Sequence, residues 1–257
     1  MTRPPVSDAS PLLASFGGGL NAAVVGASGG IGSALVEHLA YDPSIERLHA
    51  LSRCRATSLS VAARWIPIDV EDEASIAAAA KTASESGPLD IVVVATGILH
   101  NGDGLTPEKT WRALDADAFA RVFAVNTFGP ALVAKHFLPN LARDRKAVFA
   151  ALSARVGSIS DNQLGGWQAY RASKAALNML IRTFAIELAY RNPSAFCVGL
   201  HPGTVDTNLS APFQGNVPDG KLFTPATAAA SLVEVIDSLG NGDSGRLFAW
   251  DGRLIEW

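Results

Sequence analysis

The sequence predicts an α/β protein built on one doubly wound parallel sheet of about seven strands, with helices on both faces. Three observations carry that expectation. Short apolar runs alternate with longer helical patterns along the chain, as crossover connections between parallel strands require. The runs are continuously hydrophobic rather than alternating, which suits strands covered on both faces. A glycine-rich turn follows the first run directly.

Taken in order, "NAAVV" is the first strand and "GIGSALVEHLA" the first helix. "RLHAL" and "ARWIPI" follow as strands, then a helix through "EASIAAAAKTASE" and a strand at "LDIVVVA". A long helix through "AFARVFAVNTFGPALVAKHFLPNL" precedes the strand "KAVFAAL". The helix near Tyr170 places Leu177, Leu180, Ile181, Phe184 and Leu188 on one stripe facing the core, by their spacing of three, four or sums of these. "AFCVGL" and "GRLFAW" complete the strands. Two irregular stretches, "GSISDNQLGGWQ" and "PGTVDTNLSAPFQGNVPDGKLF", are candidates for functional loops. Residues 1–20, with early prolines and an apolar run too short for a secretory signal, are expected to be a flexible tail before a single domain over 21–257.

Composition narrows the function classes. Charged residues are 18%, hydrophobic residues 48% and the formal net charge is -3, so no positive excess recommends a nucleic acid or an acidic membrane as partner. No stretch approaches the roughly 18 uninterrupted apolar residues of a membrane span. Cys54 and Cys197 are far apart and lack metal-ligand spacing, which fits packing residues in a reduced, cytoplasmic compartment. No metal site is expected.

The turn "GASGGIG" sets Gly26, Gly30 and Gly32 in a GxxxGxG pattern, with Ser28 and Ile31 between them. Glycines at a strand-to-helix junction let backbone N–H groups and a helix N-terminus approach a pyrophosphate, so the sheet is expected to be Rossmann-like. "GASGG" also satisfies the GxSxG elbow that presents a nucleophilic serine. Position argues against that: nothing folded precedes the turn to supply an oxyanion-hole donor, and the last histidine is His201. The second strand ends "HALSRCR". Ser52 stands where an acid would select NAD, and Arg53 follows it, so NADP(H) is expected in preference to NAD(H).

In "AYRASKAALN" a tyrosine precedes a lysine by four residues, so Tyr170 and Lys174 share one helix face. That spacing alone is common. Together with "GASGGIG", "IDV", "VVATG", "AVNTFG" and "HPGTVDT" in this order, the chain from Asn21 to Trp257 resembles the short-chain dehydrogenase/reductase family. "LSARVGSISDN" before "YRASKAALN" looks most like the sniffer-type carbonyl reductases and the C-factor-like bacterial members.

The resemblance implies hydride transfer between a nicotinamide and a small carbonyl or alcohol substrate, with Tyr170 as general acid/base. A free phenol has a pKa of about 10, and a neighbouring ammonium favours the phenolate, which is the part the resemblance gives to Lys174. It gives Asn126 a water connecting Lys174 to solvent. Relatives carry a serine that polarises the carbonyl at the position of Ala154; Ser153 is the nearest candidate, with Ser158 a second, although adjacent strand residues face opposite ways. Cofactor contacts are implied for the glycine turn, Ser52, Arg53, Asp69, Val70, Ala95, Thr96, Gly97, Asn126, Tyr170, Lys174, Pro202, Gly203, Val205 and Thr207. A homodimer or homotetramer is implied as well. A rival reading is a cofactor-binding sensor with little turnover, suggested by Ala95, Thr96 and Ala154 where relatives differ.

Overall fold

The computed structural model describes residues 11–55, 60–101 and 104–257. Among the described residues the main sheet has eight strands: β1 (Leu20–Val25), β2 (Ile45–Ser52), β3 (Ala63–Pro67), β4 (Ile91–Val94), β5 (Ala147–Leu152), β6 (Ala195–His201), β9 (Leu247–Ala249) and β10 (Leu254–Ile255). Their order is β3-β2-β1-β4-β5-β6-β9-β10. Every pairing is parallel except that of β10, which turns back antiparallel on β9. The seven strands expected from sequence are present; β10 is too short to register as an apolar run. A separate pair, β7 (Thr204–Val205) and β8 (Leu222–Phe223), ties down the long segment after β6.

Helices α1 (Gly30–Ala40) and α6 (Pro225–Ser238) cover one face, and α2 (Glu73–Ser84), α4 (Gly129–Phe137) and α5 (Gln168–Arg191) the other. The central strands feed both layers by alternation. Ala22 and Val24 of β1 pack with Leu35, Leu39, Leu232 and Ile236, while Ala23 and Val25 pack with Ile76, Val133, Phe137, Leu177 and Ile181. The α5 stripe is as its spacing predicts: Leu177, Ile181 and Leu188 are buried, and Leu180 and Phe184 partly so. No helix among the described residues is long and apolar enough to cross a membrane.

Residues 11–19 are not the loose tail expected of residues 1–20. Leu13 and Phe16 are buried in the core, Ser15 bonds Asp237, and Lys146 reaches Ser15 and the Asp237 and Leu239 carbonyls. The first ten residues of that tail lie outside the described residues. The long central helix is also interrupted: α3 (Ala116–Phe123) joins α4 through a π-helical turn, Ala124–Phe128, that carries Asn126.

The strand order reverses between β1 and β4, since connections from β1 run outward through β2 and those from β4 outward through β5. Ligands of doubly wound sheets bind in the crevice beyond the carboxyl ends of the strands at such a switch point. The sequence motifs converge there.

Candidate active site

The glycine turn closes the end of β1 against α1. Gly26 has φ +88°, and a Cβ on Gly32 would stand 2.1 Å from the Gly26 carbonyl oxygen, so neither position admits another residue without opening the turn. A Cβ on Gly30 would meet Thr207 Cγ2 at 2.6 Å, which shows that the "HPGTVDT" segment folds directly over the helix entrance. Helix α1 has no side-chain cap, in contrast to α2, α3 and α6, whose first turns are capped by Asp72, Asp115 and Thr224. Its leading N–H groups are left for an anion. Ser28 is exposed on the same turn and Ile31 half-buried.

The end of β4 forms the opposite lip. The Ala95 N–H continues the ladder to the Val25 carbonyl at 2.8 Å. Thr96 lies against Gly26, and its Oγ1 is buried without a hydrogen-bond partner among the described residues. An orphaned hydroxyl beside a glycine cradle and an uncapped helix suits a polyanionic dinucleotide. At the adenosine end, Ser52 is buried, donates to the Cys54 carbonyl at 2.7 Å and accepts from the Trp65 indole at 3.3 Å. Its hydroxyl therefore shapes the turn. Arg53 is exposed and makes no ion pair among the described residues. Asp69 accepts from the Glu71 N–H at 3.0 Å, and Val70 packs where a Cβ on Gly129 would be, at 3.1 Å.

Helix α5 presents Tyr170, Lys174 and Asn178 one turn apart on one face. Lys174 Nζ stands 5.9 Å from the Tyr170 ring centroid and donates to the Leu152 carbonyl at 2.8 Å. A Cβ on Gly97 would lie 3.5 Å from Asn126 Oδ1 and 3.7 Å from Lys174 Nζ, so the β4 lip runs straight to this face. Gly203, with φ +79°, has no room for a side chain beneath Phe223 and Trp250, and Val205 is buried behind Thr207. Pro202 is half-buried at the same turn.

At three of these positions the packing adds what spacing does not record. Burial pushes the Tyr170 phenol up to about 12 and draws the Lys174 ammonium down to about 8. Loss of hydration is the cause of both shifts. The Asn126 amide is engaged at both ends: Oδ1 accepts from the Ile98 N–H at 2.7 Å, and Nδ2 donates to the Ile98 carbonyl at 2.8 Å and to Ser173 Oγ at 3.2 Å. It clamps the chain after β4 to α5. Ser153 gives its one hydroxyl proton to Asn178 Oδ1 at 2.6 Å, so that proton is not offered to a carbonyl. Ser158 is likewise occupied, with Ser160 Oγ at 3.2 Å and the Asp161 N–H at 3.1 Å.

The short chain dehydrogenase family pattern matches residues 20–217. The chain belongs to the short-chain dehydrogenase/reductase family. It is 33% identical over 239 residues to 1-hydroxy-2-glutathionyl-2-methyl-3-butene dehydrogenase of Rhodococcus sp. strain AD45, covering 91% of this chain and 98% of that one. It is 35% identical over 176 residues to the C-signal protein of Myxococcus xanthus, covering 67% of this chain and 95% of the other. Among solved structures, the NADPH-bound carbonyl reductase from chicken fatty liver superposes with TM-score 0.80 at 29% identity, covering 93% of this chain and all 100% of that one. The Drosophila carbonyl reductase Sniffer shares the fold at TM-score 0.78 and 22% identity, with 93% and 100% covered.

As a member of this family the chain is an oxidoreductase, and the two irregular stretches of its sequence meet beside Tyr170. Trp167, Phe213 and His100 form a continuous wall beside Tyr170: Trp167 lies 6.3 Å from the Tyr170 ring and 4.9 Å from Phe213, which meets His100 at 5.7 Å. His100 is fixed through Nε2 to the Asn208 carbonyl at 3.0 Å. Glu108, from the loop after β4, contacts the first turn of α5. Its buried position could not be found from sequence, where "TPEKT" reads as a solvated loop. Among the described residues no group of three or more His, Cys, Asp or Glu could hold a metal ion.

Proposed function

We propose that the protein is an NADP(H)-dependent reductase of small apolar aldehydes or ketones, equally able to oxidise the corresponding alcohols, with Tyr170 as the proton donor and acceptor. The observation that carries this reading is the contiguity of the glycine cradle, the orphaned Thr96 hydroxyl, Gly97, Lys174 and Tyr170 around one crevice. The glycine turn with Ser28 and Ile31 would hold the pyrophosphate, Arg53 the 2'-phosphate, Asp69 and Val70 the adenine end, and Ala95, Thr96, Pro202, Gly203, Val205 and Thr207 the nicotinamide end. The cofactor, when bound, supplies the hydride.

Everything else is done by the chain. A phenol held near 12 keeps its proton at neutral pH, which suits a donor to the alkoxide that forms as a carbonyl is reduced. Lys174 in its ammonium form would stabilise the phenolate left behind and, through its bond to the Leu152 carbonyl, keeps a fixed place beside the ring. With Ser153 and Ser158 occupied, Tyr170 is the hydroxyl left to bind the substrate oxygen. The Trp167–Phe213–His100 wall favours an apolar substrate body. The NADPH named for the chicken liver structure supports the cofactor preference. A dimer or tetramer through the exposed faces of α4 and α5 and a cytoplasmic setting complete the proposal.

The test is NADPH oxidation against a panel of aldehydes and ketones, with Tyr170→Phe and Arg53→Ala beside the wild type. Tyr170→Phe is expected to lose at least about 10²-fold in kcat with NADPH affinity retained, and Arg53→Ala to narrow the preference for NADPH over NADH. The second reading, a cofactor-binding sensor, draws on Ala154 and the occupied Ser153 hydroxyl. It predicts tight NADPH binding with no turnover of any carbonyl in the wild type.

A further inference from the structure

Helix α5 is 24 residues long and carries Tyr170 in its first turn, yet it has no side-chain cap of its own. The residue at its entrance, Trp167, is held at φ 53°, ψ 44°, and is the sole non-glycine residue with positive φ among those described. Such a conformation in a bulky residue costs energy and persists only where neighbours impose it. Those neighbours come mainly from one residue of the loop after β4. The Glu108 carbonyl accepts from the Trp167 N–H at 2.6 Å, and Glu108 Oε2 accepts from the Ala169 N–H at 3.2 Å. Glu108 is 6% exposed, an unusual burial for a carboxylate.

We propose that Glu108 is the positioning residue for Tyr170, capping α5 from outside the helix and fixing Trp167 so that the phenol and the aromatic wall keep their register. This rests on the reading of Tyr170 as the proton donor. The carboxylate replaces the missing local cap: it takes an N–H at the second position of the helix and lies at the positive end of the dipole. The carbonyl of the same residue holds the left-handed turn, and Gly166, at φ +68°, supplies the left-handed backbone just before it. Arg171 closes the turn from the other side by donating to the Gly165 and Gly166 carbonyls at 3.2 and 2.9 Å. One turn further in, Asn126 grips the beginning of the same loop at Ile98 and bonds Ser173, whose hydroxyl donates to the Tyr170 carbonyl at 2.8 Å. Both ends of the loop after β4 thus bear on the turn that carries the phenol. Trp167 transmits the placement onward, because its ring packs against both Tyr170 and Phe213.

The experiment compares wild type, Glu108→Ala and Glu108→Gln in the full chain. Glu108→Gln keeps an acceptor oxygen in place and Glu108→Ala removes it. With a carbonyl substrate turned over by the wild type, Glu108→Ala is expected to lower kcat about 10²-fold, the cost of misplacing a catalytic group by roughly 1 Å. NADPH affinity should stay within about twofold, and Glu108→Gln should recover most of the rate. Equal loss in both variants, an unchanged kcat in Glu108→Ala, or NADPH affinity falling in step with kcat would overturn the proposal. A second readout needs no turnover: amide exchange at Trp167 and Ala169 and the tyrosine ring carbon shift of Tyr170, by NMR. Both should change in Glu108→Ala and return in Glu108→Gln; if neither moves, Glu108 does not position Tyr170. A wild type without turnover but with these shifts refutes the reductase reading and leaves the positioning role standing.

Discussion

Lys174 shows how burial sets the chemistry of a single residue. Its ammonium is drawn down to about 8 by loss of hydration while Nζ remains bonded to the Leu152 carbonyl. If, as proposed, Tyr170 donates the proton, the protonated form stabilises the phenolate left behind, so the rate of carbonyl reduction is expected to fall as pH rises through about 8. Initial rates at saturating NADPH across that range measure it, and Lys174→Arg, whose guanidinium stays charged, should abolish the fall if the side chain is accommodated. Ser153 carries a different expectation. Because its proton goes to Asn178, Ser153→Ala should turn over substrate within about twofold of wild type yet lose about 1–2 kcal/mol of stability, the cost of leaving a buried acceptor unpaired. Parallel kcat and Tm measurements decide it; a collapse of kcat at unchanged Tm would restore Ser153 to the reaction. Sequence placed Ser153 beside the site but not its proton, since a hydroxyl's partner depends on a residue two helical turns beyond Tyr170.

At the scale of elements, the β1–α1 junction was legible and the α3–α4 junction was not. Glycine spacing reports a backbone requirement directly: Gly32 is needed because a Cβ would lie 2.1 Å from a carbonyl oxygen that cannot withdraw. Gly32→Ala is therefore expected to cost at least about 1–3 kcal/mol and to weaken NADPH binding, as thermal unfolding and cofactor titration would register. Unchanged affinity would mean that the turn opens without disturbing the cradle. The π-helical turn at Ala124–Phe128 left no mark in the apolar pattern, which reads as one continuous helix. Such turns are common at functional sites, and this one sets Asn126 against the backbone of Ile98, a partner 28 residues away. The cap of α5 was hidden for the same reason, because Glu108 lies 61 residues from the amide it satisfies.

Across the whole molecule, two buried histidines are expected to make folding sensitive to acid. Burial, with Arg64 and Arg47 adding to it, draws His49 down to about 4, and both its ring nitrogens lack partners among the described residues. His201 is also drawn down to about 4, chiefly by burial and then by Arg155. Unfolded, each takes a proton near 6.5. Between those values the unfolded chain binds more protons, so stability is complete above about 6.5 and is lost as pH falls through about 4. Denaturant unfolding at a series of pH values should show this loss, with a shallower slope in His49→Leu; an identical slope would exclude His49 as a source.

The sequence by itself determined the layered α/β fold, the cofactor cradle and the Tyr170–Lys174 pair, because each is written in local spacing: continuous apolar runs, glycines where a Cβ cannot fit, and residues one helical turn apart. Only the tertiary structure decided the protonation tendencies of that pair, the partners of Asn126 and Ser153, and the external cap supplied by Glu108. Those depend on desolvation and on hydrogen bonds between segments remote along the chain, which packing brings together and spacing does not record.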